Sequence, residues 1–162
     1  MADTSLRIVA PEDCKDILLW RNDPATRQMS LSSDVINEEE HFKWFSNMLL
    51  DEDHCAIIGE TKAKKFGVVF FREQSGDVLV SINLAPEFRG KGLSSRLLSK
   101  SIQWYLRSRR EIKYFTAKIK DGNHGSIRIF TQNGFELVSK IDQLFTYRLT
   151  VRTMENLRNV YN

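Results

Sequence analysis

Cysteine is scarce in this 162-residue chain. Cys14 and Cys55 are the only two, too few for a disulfide framework, so reduced, buried thiols are expected. Proline (3) and glycine (8) are also sparse, which excludes collagen-like and low-complexity classes. No apolar run exceeds four residues, as in Val68–Phe71, whereas spanning a bilayer takes ~20; no membrane association is expected. The start, Met1–Ser5, has neither a basic nor an apolar leader segment, and a cytoplasmic address is expected. Charge of one sign is lacking too. Lys and Arg number 24 against 21 acidic residues, a net +3, so no nucleic-acid partner is expected. Arg89, Lys91, Arg96, Lys100, Arg107, Arg109 and Arg110 do cluster along one stretch, and a solvated helix face accounts for most of them.

What is present is ordinary globular material: 41% apolar and 28% charged residues. At ~150 residues per domain the length predicts one domain, 1–162. Leu6–Val9 alternates as a strand. Glu12–Arg21 reads as a helix with Cys14, Ile17 and Leu18 on one face, interrupted at Asp23-Pro24. Glu38–Leu50 reads as a second helix, its apolar stripe Phe42, Phe45, Met48 and Leu49, its acidic first turn suited to the helix dipole. His54–Gly59, Lys65–Arg72 and Val78–Leu84 predict an antiparallel meander. A long helix over about 90–108 carries Leu93, Leu97, Leu98, Ile102, Tyr105 and Leu106 as its stripe. A strand at Lys113–Lys120, a short helix at Gly125–Asn133 closed by Gly134, and strands at Phe135–Ile141 and Gln143–Val151 follow. The tail, 152–162, reads as a short helix or a frayed end. The pattern predicts an α/β chain: a mixed sheet with helices on both faces.

The chemistry concentrates at the junction Asn83-Leu84-Ala85-Pro86-Glu87-Phe88-Arg89-Gly90-Lys91-Gly92-Leu93-Ser94. A strand enters a glycine-rich turn and then a long helix. Glycines let the backbone approach a ligand. The first helical turn points unpaired N–H groups forward, and the helix dipole, Arg89 and Lys91 add positive charge. That combination suits a phosphate or pyrophosphate. A P-loop requires Ser or Thr after Gly90-Lys91, but Gly92 stands there. A dinucleotide fingerprint requires a third glycine, but Ser95 occupies its place.

Arg89-Gly90-Lys91-Gly92-Leu93-Ser94 resembles the acyl-CoA signature of the GNAT superfamily of N-acetyltransferases, Arg/Gln-x-x-Gly-x-Gly/Ala, departing only at Ser94, which is still small. Asn123, Ser126, Phe130, Gly134 and Phe135 fall in register with the superfamily's later motif. The resemblance covers about 65–150. It implies a seven-stranded mixed sheet splayed between its fourth and fifth strands, with acetyl-CoA as co-substrate in the split. It implies cofactor contacts from Leu84, Ala85, Arg89, Gly90, Lys91, Gly92, Leu93, Ser94, Asn123, Ser126 and Phe130. A backbone N–H at Asn83 or Leu84 would polarise the thioester carbonyl. No metal is implied. In many members a Tyr at the place of Phe130 protonates the leaving thiolate; Phe130 has no proton to give. Tyr105, Tyr114, Tyr147 or water are the substitutes. His41, Glu73, Asp77 and Glu87 are candidate bases by chemistry alone.

Leu19-Trp20-Arg21-Asn22-Asp23-Pro24 and Ile36–Phe45 are similar to the sugar-nucleotide N-acetyltransferases of the pseudaminic acid pathway. That resemblance implies a small-molecule acceptor, a UDP-linked amino sugar, held by Arg21, Asn22, His41 and Trp44. A homodimer is compatible with it. Plainer roles compete: Trp20 and Trp44 as core aromatics, Arg21 as a helix cap, His41 as a satisfied surface residue. Polyamine and ribosomal-protein acetyltransferases share a weaker form of the pattern. A non-catalytic acyl-CoA-binding module is the remaining alternative.

Overall fold

In a computed structural model, residues 4–62, 64–109 and 111–152 are described. The helical or frayed tail expected for 152–162 lies outside them from residue 153 on. One seven-stranded sheet runs β1-β2-β3-β4-β5-β7-β6. Its strands are β1 (Thr4–Ile8), β2 (His54–Thr61), β3 (Lys64–Gln74), β4 (Asp77–Leu84), β5 (Tyr114–Lys120), β6 (Glu136–Ile141) and β7 (Leu144–Thr150). The helices are α1 (Cys14–Asn22), α2 (Pro24–Met29), α3 (Glu38–Leu50), α4 (Leu93–Ser108) and α5 (His124–Gln132).

Local chemistry explains the element ends. Asn37 accepts the amides of Glu39 and Glu40, which starts α3. Asp23 accepts the Thr26 amide at 3.0 Å and starts α2, with Pro24 at the first helical position, where its missing N–H is no loss. Asp23-Pro24 interrupts the helical run as expected, and it also opens a new helix. α4 begins at Leu93, later than the expected 90, because Gly90 and Gly92 hold φ near +71°, outside helical geometry.

β2, β3 and β4 form the expected antiparallel meander. Its two faces carry two cores. On one, Leu97, Leu98, Ile102 and Tyr105 of α4 pack with Phe71, Val78, Val80 and Phe115. On the other, Ile17 and Trp20 of α1 and Phe45 and Met48 of α3 pack with Ile58, Val68 and Ala85. Each large side chain fully buried in this way contributes about 1.5–3 kcal/mol.

β4 and β5 are parallel, and they pair only over Asp77–Leu79 and Tyr114–Thr116. Beyond Leu79 the two strands separate. The closed end is pinned by side chains: Thr116 Oγ1 donates to Asp77 at 2.8 Å, and Arg148 lies 3.7 Å from the same carboxylate. The sheet therefore opens toward the carboxyl ends of both strands, where the glycine turn and α5 begin. No helix among the described residues is long and apolar enough to cross a membrane.

Candidate active site

The two lips of the split are the end of β4 with its following turn, and the end of β5 with the start of α5. The Ala85 amide donates to the Phe66 carbonyl at 3.0 Å, toward β3. Amide direction alternates along an antiparallel ladder, so the Leu84 N–H faces away from β3, into the split. Of the two candidates at Asn83 and Leu84, the backbone donor facing the split is that of Leu84. Asn83 instead carries an orphan: its side-chain Nδ2 is buried with no hydrogen-bond partner among the described residues.

After β4, Pro86–Phe88 makes one 3-10 turn. Gly90 and Gly92 follow, and a Cβ at either would meet nothing within 4 Å. The backbone of the turn is thus bare. Gly92, left-handed at φ 71°, ψ 9°, is the N-cap of α4 and has no side chain to occupy the first-turn amides of Leu93 and Ser94. The Lys91 ammonium sits 5.0 Å above the Phe88 ring, in the same turn. Together they offer an anion a bare cradle, a helix dipole and a cation. The Arg89 guanidinium takes no place in it. Nη1 is 2.8 Å from Asp23, and Nη2 donates to Thr26 Oγ1 at 2.6 Å. This arginine is tied to the start of α2 instead of standing free over the turn.

On the opposite lip, Asn123 Oδ1 accepts the Ser126 amide at 3.1 Å, capping α5. Its Nδ2 donates to the Met29 carbonyl at 3.2 Å. Phe130 is 3% exposed and meets Phe135 edge-on at 4.9 Å. It is a core residue on the α4 side. A Tyr hydroxyl there would be buried, and an unpaired buried hydroxyl costs about 1–3 kcal/mol. Phe130→Tyr is therefore expected to lower stability by that amount and leave turnover within a few-fold, measured by thermal melting and steady-state kinetics. A hundredfold rise in turnover would mean that an acid had been missing, since general acids contribute ~10²–10⁴-fold.

The alternative proton donors are placed unequally. Tyr105 donates to Glu73 at 3.3 Å and is pushed up to about 12, chiefly by burial. Tyr114 lies at the closed end under Arg148. Tyr147 is buried on β7 across from Ala117. Two of the candidate bases fall away. Glu73 is held by Tyr105 and Arg109, and Asp77 pins the closed end, both remote from the split.

On the other face of the sheet, α1 and α3 bring Arg21, His41 and Trp44 together. Two expected acceptor contacts need correcting. His41 is 2% exposed, its Nε2 donates to the Cys14 carbonyl at 3.0 Å, and burial lowers its pKa, so it is a neutral packing residue joining α3 to α1. It is no candidate base. Asn22 is also occupied: Nδ2 donates to the Ile36 carbonyl at 2.9 Å and Oδ1 accepts the Ile36 amide at 2.8 Å, fastening the segment before α3. Arg21 differs. Its guanidinium lies 5.1 Å over the Trp44 ring, burial lowers its pKa, and no carboxylate pairs with it among the described residues. Trp44 remains 36% exposed beside it.

The parallel β4–β5 pair opens onto an uncapped, glycine-led helix, a cleft that suits an anionic ligand. The GNAT acetyltransferase domain family matches residues 4–136, and the chain belongs to it. A comparison with curated protein sequences finds no match. Solved structures share the fold at low identity. A domain from Methanocaldococcus jannaschii is 20% identical, with a TM-score of 0.81 over 93% of this chain and 99% of that one. A spermidine N-acetyltransferase from Vibrio cholerae, solved with CoA and spermine, is 14% identical, TM-score 0.80, over 91% and 95%. An aminoglycoside acetyltransferase solved with coenzyme A is 16% identical, TM-score 0.80, over 96% and 99%.

Proposed function

We propose that the protein is an N-acetyltransferase that moves the acetyl group of acetyl-CoA to a primary amine of a small anionic acceptor, a nucleotide-linked amino sugar. The whole chain serves as the one domain for this, in the cytoplasm. The cofactor part rests on the bare Gly90–Gly92 turn and the uncapped start of α4, which suit a pyrophosphate, and on the CoA bound by the spermidine and aminoglycoside enzymes of the same fold. In the reaction the neutral amine attacks the thioester carbonyl. The Leu84 N–H stabilises the developing oxyanion. The carbon–sulfur bond breaks, CoA leaves as thiolate, and the proton lost by the amine passes through water to that thiolate, giving CoA as the free thiol. A thiol is acidic, at pKa ~8.5 for a Cys-like group, so the thiolate leaves with little help.

The acceptor part rests on a single observation, the desolvated Arg21 guanidinium without a carboxylate partner. A half-buried cation without a carboxylate partner repels a polyamine and attracts a phosphate, which Arg grips with a two-pronged fork. Trp44 beside it offers a face on which a base or sugar can stack. Arg21→Met keeps the apolar stem on Trp44 and removes the charge. It is expected to raise the acceptor KM about ten- to a hundredfold, the loss of one charged hydrogen bond at ~1.5–3 kcal/mol, with acetyl-CoA affinity unchanged by calorimetry.

A second reading has an observation of its own. Asn37, Glu38, Glu39 and Phe42 line an acidic groove of about 450 Å³ at the start of α3, suited to a cationic amine of the kind the structural neighbours take. A turnover panel of a UDP-linked amino sugar, spermidine, an aminoglycoside and N-terminal peptides separates the two. Acetylation of the cations alone would defeat the sugar reading.

A further inference from the structure

α2 lies across the mouth of the split and is fastened to both lips. At its start, the Asp23 carboxylate accepts the Thr26 amide at 3.0 Å and pairs with Arg89 at 2.8 Å. At its end, the carbonyls of Gln28 and Met29 accept Lys120 Nζ at 3.1 Å and Asn123 Nδ2 at 3.2 Å. A helix of this length spans only about 9 Å, so the strap holds the lips at a short, set separation. α1 ends where α2 begins, with Arg21 two residues before Asp23.

The geometry points to Asp23 as a positioning residue for acetyl transfer: through Arg89 it holds the Gly90–Gly92 turn in its open shape and ties that turn to the end of α1 that carries Arg21. This rests on the reading that the turn receives the pyrophosphate of acetyl-CoA. The physical need is clear. Gly90 and Gly92 sit at positive φ and would touch nothing even with a Cβ, so packing does not restrain the turn. Glycine loses more conformational freedom on ordering than any other residue. An anchor at the residue just before the turn removes part of that loss before the cofactor arrives, and preorganisation of this kind appears as affinity. The anchor is Arg89, and what holds Arg89 is Asp23 with Thr26.

The competing role for Arg89, a direct phosphate ligand, predicts the opposite sign for one substitution. Asp23→Asn keeps a good N-cap for α2 and removes only the charge that holds Arg89. If Arg89 were a phosphate ligand restrained by Asp23, freeing it would tighten CoA. If Asp23 positions the turn through Arg89, the same change weakens CoA. Calorimetry with unreactive CoA on the wild type, Asp23→Asn, Arg89→Met and the double variant reads this directly. The expected result is CoA affinity about two- to fivefold weaker in each single variant, the range of a partly exposed ion pair, with the double variant no weaker than either. The KM for acetyl-CoA should rise in parallel while kcat at saturation is retained. Unchanged or tighter CoA binding by Asp23→Asn overturns the proposal. So does weak binding by Asp23→Asn accompanied by a lowered melting temperature and normal binding by Arg89→Met, which would make Asp23 a helix cap only. Wild-type protein that binds no CoA refutes the reading of the turn, and the proposal with it, before any substitution is made.

Discussion

Gly92→Glu is expected to abolish measurable acetyl-CoA binding, weakening it by at least a hundredfold. Gly92 is left-handed, at φ 71° and ψ 9°, and caps α4 without a side chain. A Cβ there enters open space, so the glutamate meets no steric block. It bends instead toward the first-turn amides and the dipole that would receive the pyrophosphate. A carboxylate is welcome at a helix start, which is why it competes so effectively. An anion held there would lose two charge-assisted hydrogen bonds, each worth about 1.5–3 kcal/mol, and would meet a like charge as well. Since 1.4 kcal/mol is a factor of ten, a loss of two to four decades follows. Gly92→Ala separates the causes. It carries the same left-handed strain, about 1–2 kcal/mol, without the charge, and should bind nearly normally with a lower melting temperature. Calorimetry on both variants checks this; equal affinities for Gly92→Glu and wild type would remove the turn from the cofactor site.

Asp13→Asn should damage the fold severely. Asp13 is completely buried, and its carboxylate is taken on every side. Arg7 reaches it with Nη1 at 2.7 Å and Nη2 at 2.8 Å, Lys65 at 2.7 Å, and the Ala10 amide at 2.8 Å. This one group ties β1, β3 and the start of α1 together. Burial alone would raise its pKa; the bonds from Arg7, Lys65 and Ala10 outweigh it and hold the carboxyl well below the usual range. Breaking a buried pair costs about 3–5 kcal/mol. Arg7 and Lys65 keep side-chain exposures of 33% and 24%, so they rehydrate, and the lower end, about 3 kcal/mol, is expected. At ~2–4 °C per kcal/mol for a chain of this size, the melting temperature should fall by roughly 6–12 °C. The pH dependence has a definite sign. The folded pKa is depressed, so the carboxylate's contribution is complete above its unfolded pKa of ~3.9 and shrinks as pH falls below that. Wild type and Asp13→Asn should therefore differ most near neutral pH and converge below about pH 4. Melts from pH 7 to pH 2 test this; a gap constant with pH would take the ion pairs out of the explanation.

Much of the fold was legible because its causes are local. α3 appears with both ends in place, since Asn37, the acidic first turn and the Phe42–Leu49 stripe all act within the helix. The meander shows through its β-rich runs and the Ser75-Gly76 turn. α2 goes beyond the expected interruption at Asp23-Pro24, although its signal is local: an Asp at the N-cap and a Pro at the first helical position mark a start as well as a stop.

The candidate site was legible only in outline, and the errors share one cause. His41 and Asn22 offer suitable chemistry for an acceptor, yet the packing of α1 against α3 gives His41 to the Cys14 carbonyl and Asn22 to the Ile36 backbone. Nothing within a few residues of either announces that partner. Phe130 belongs to the core for the same reason.

The strand-to-glycine-to-helix junction at 83–94 is a property of the chain itself, because turn geometry, helix dipole and bare amides depend on neighbouring residues alone. That junction carries the capacity to hold an anion wherever the chain folds this way. Which other groups attend it is a matter of tertiary structure. The sheet opens at that junction because β4 and β5 pair over three residue positions and then diverge. Arg89 reaches Asp23, across 66 residues of sequence, because α2 is laid over the opening. Arg21 is left a desolvated cation because α1 and α3 close over it with Trp44 and supply no carboxylate. Contacts between residues so far apart are set by where whole elements pack, and no local pattern of side chains encodes them.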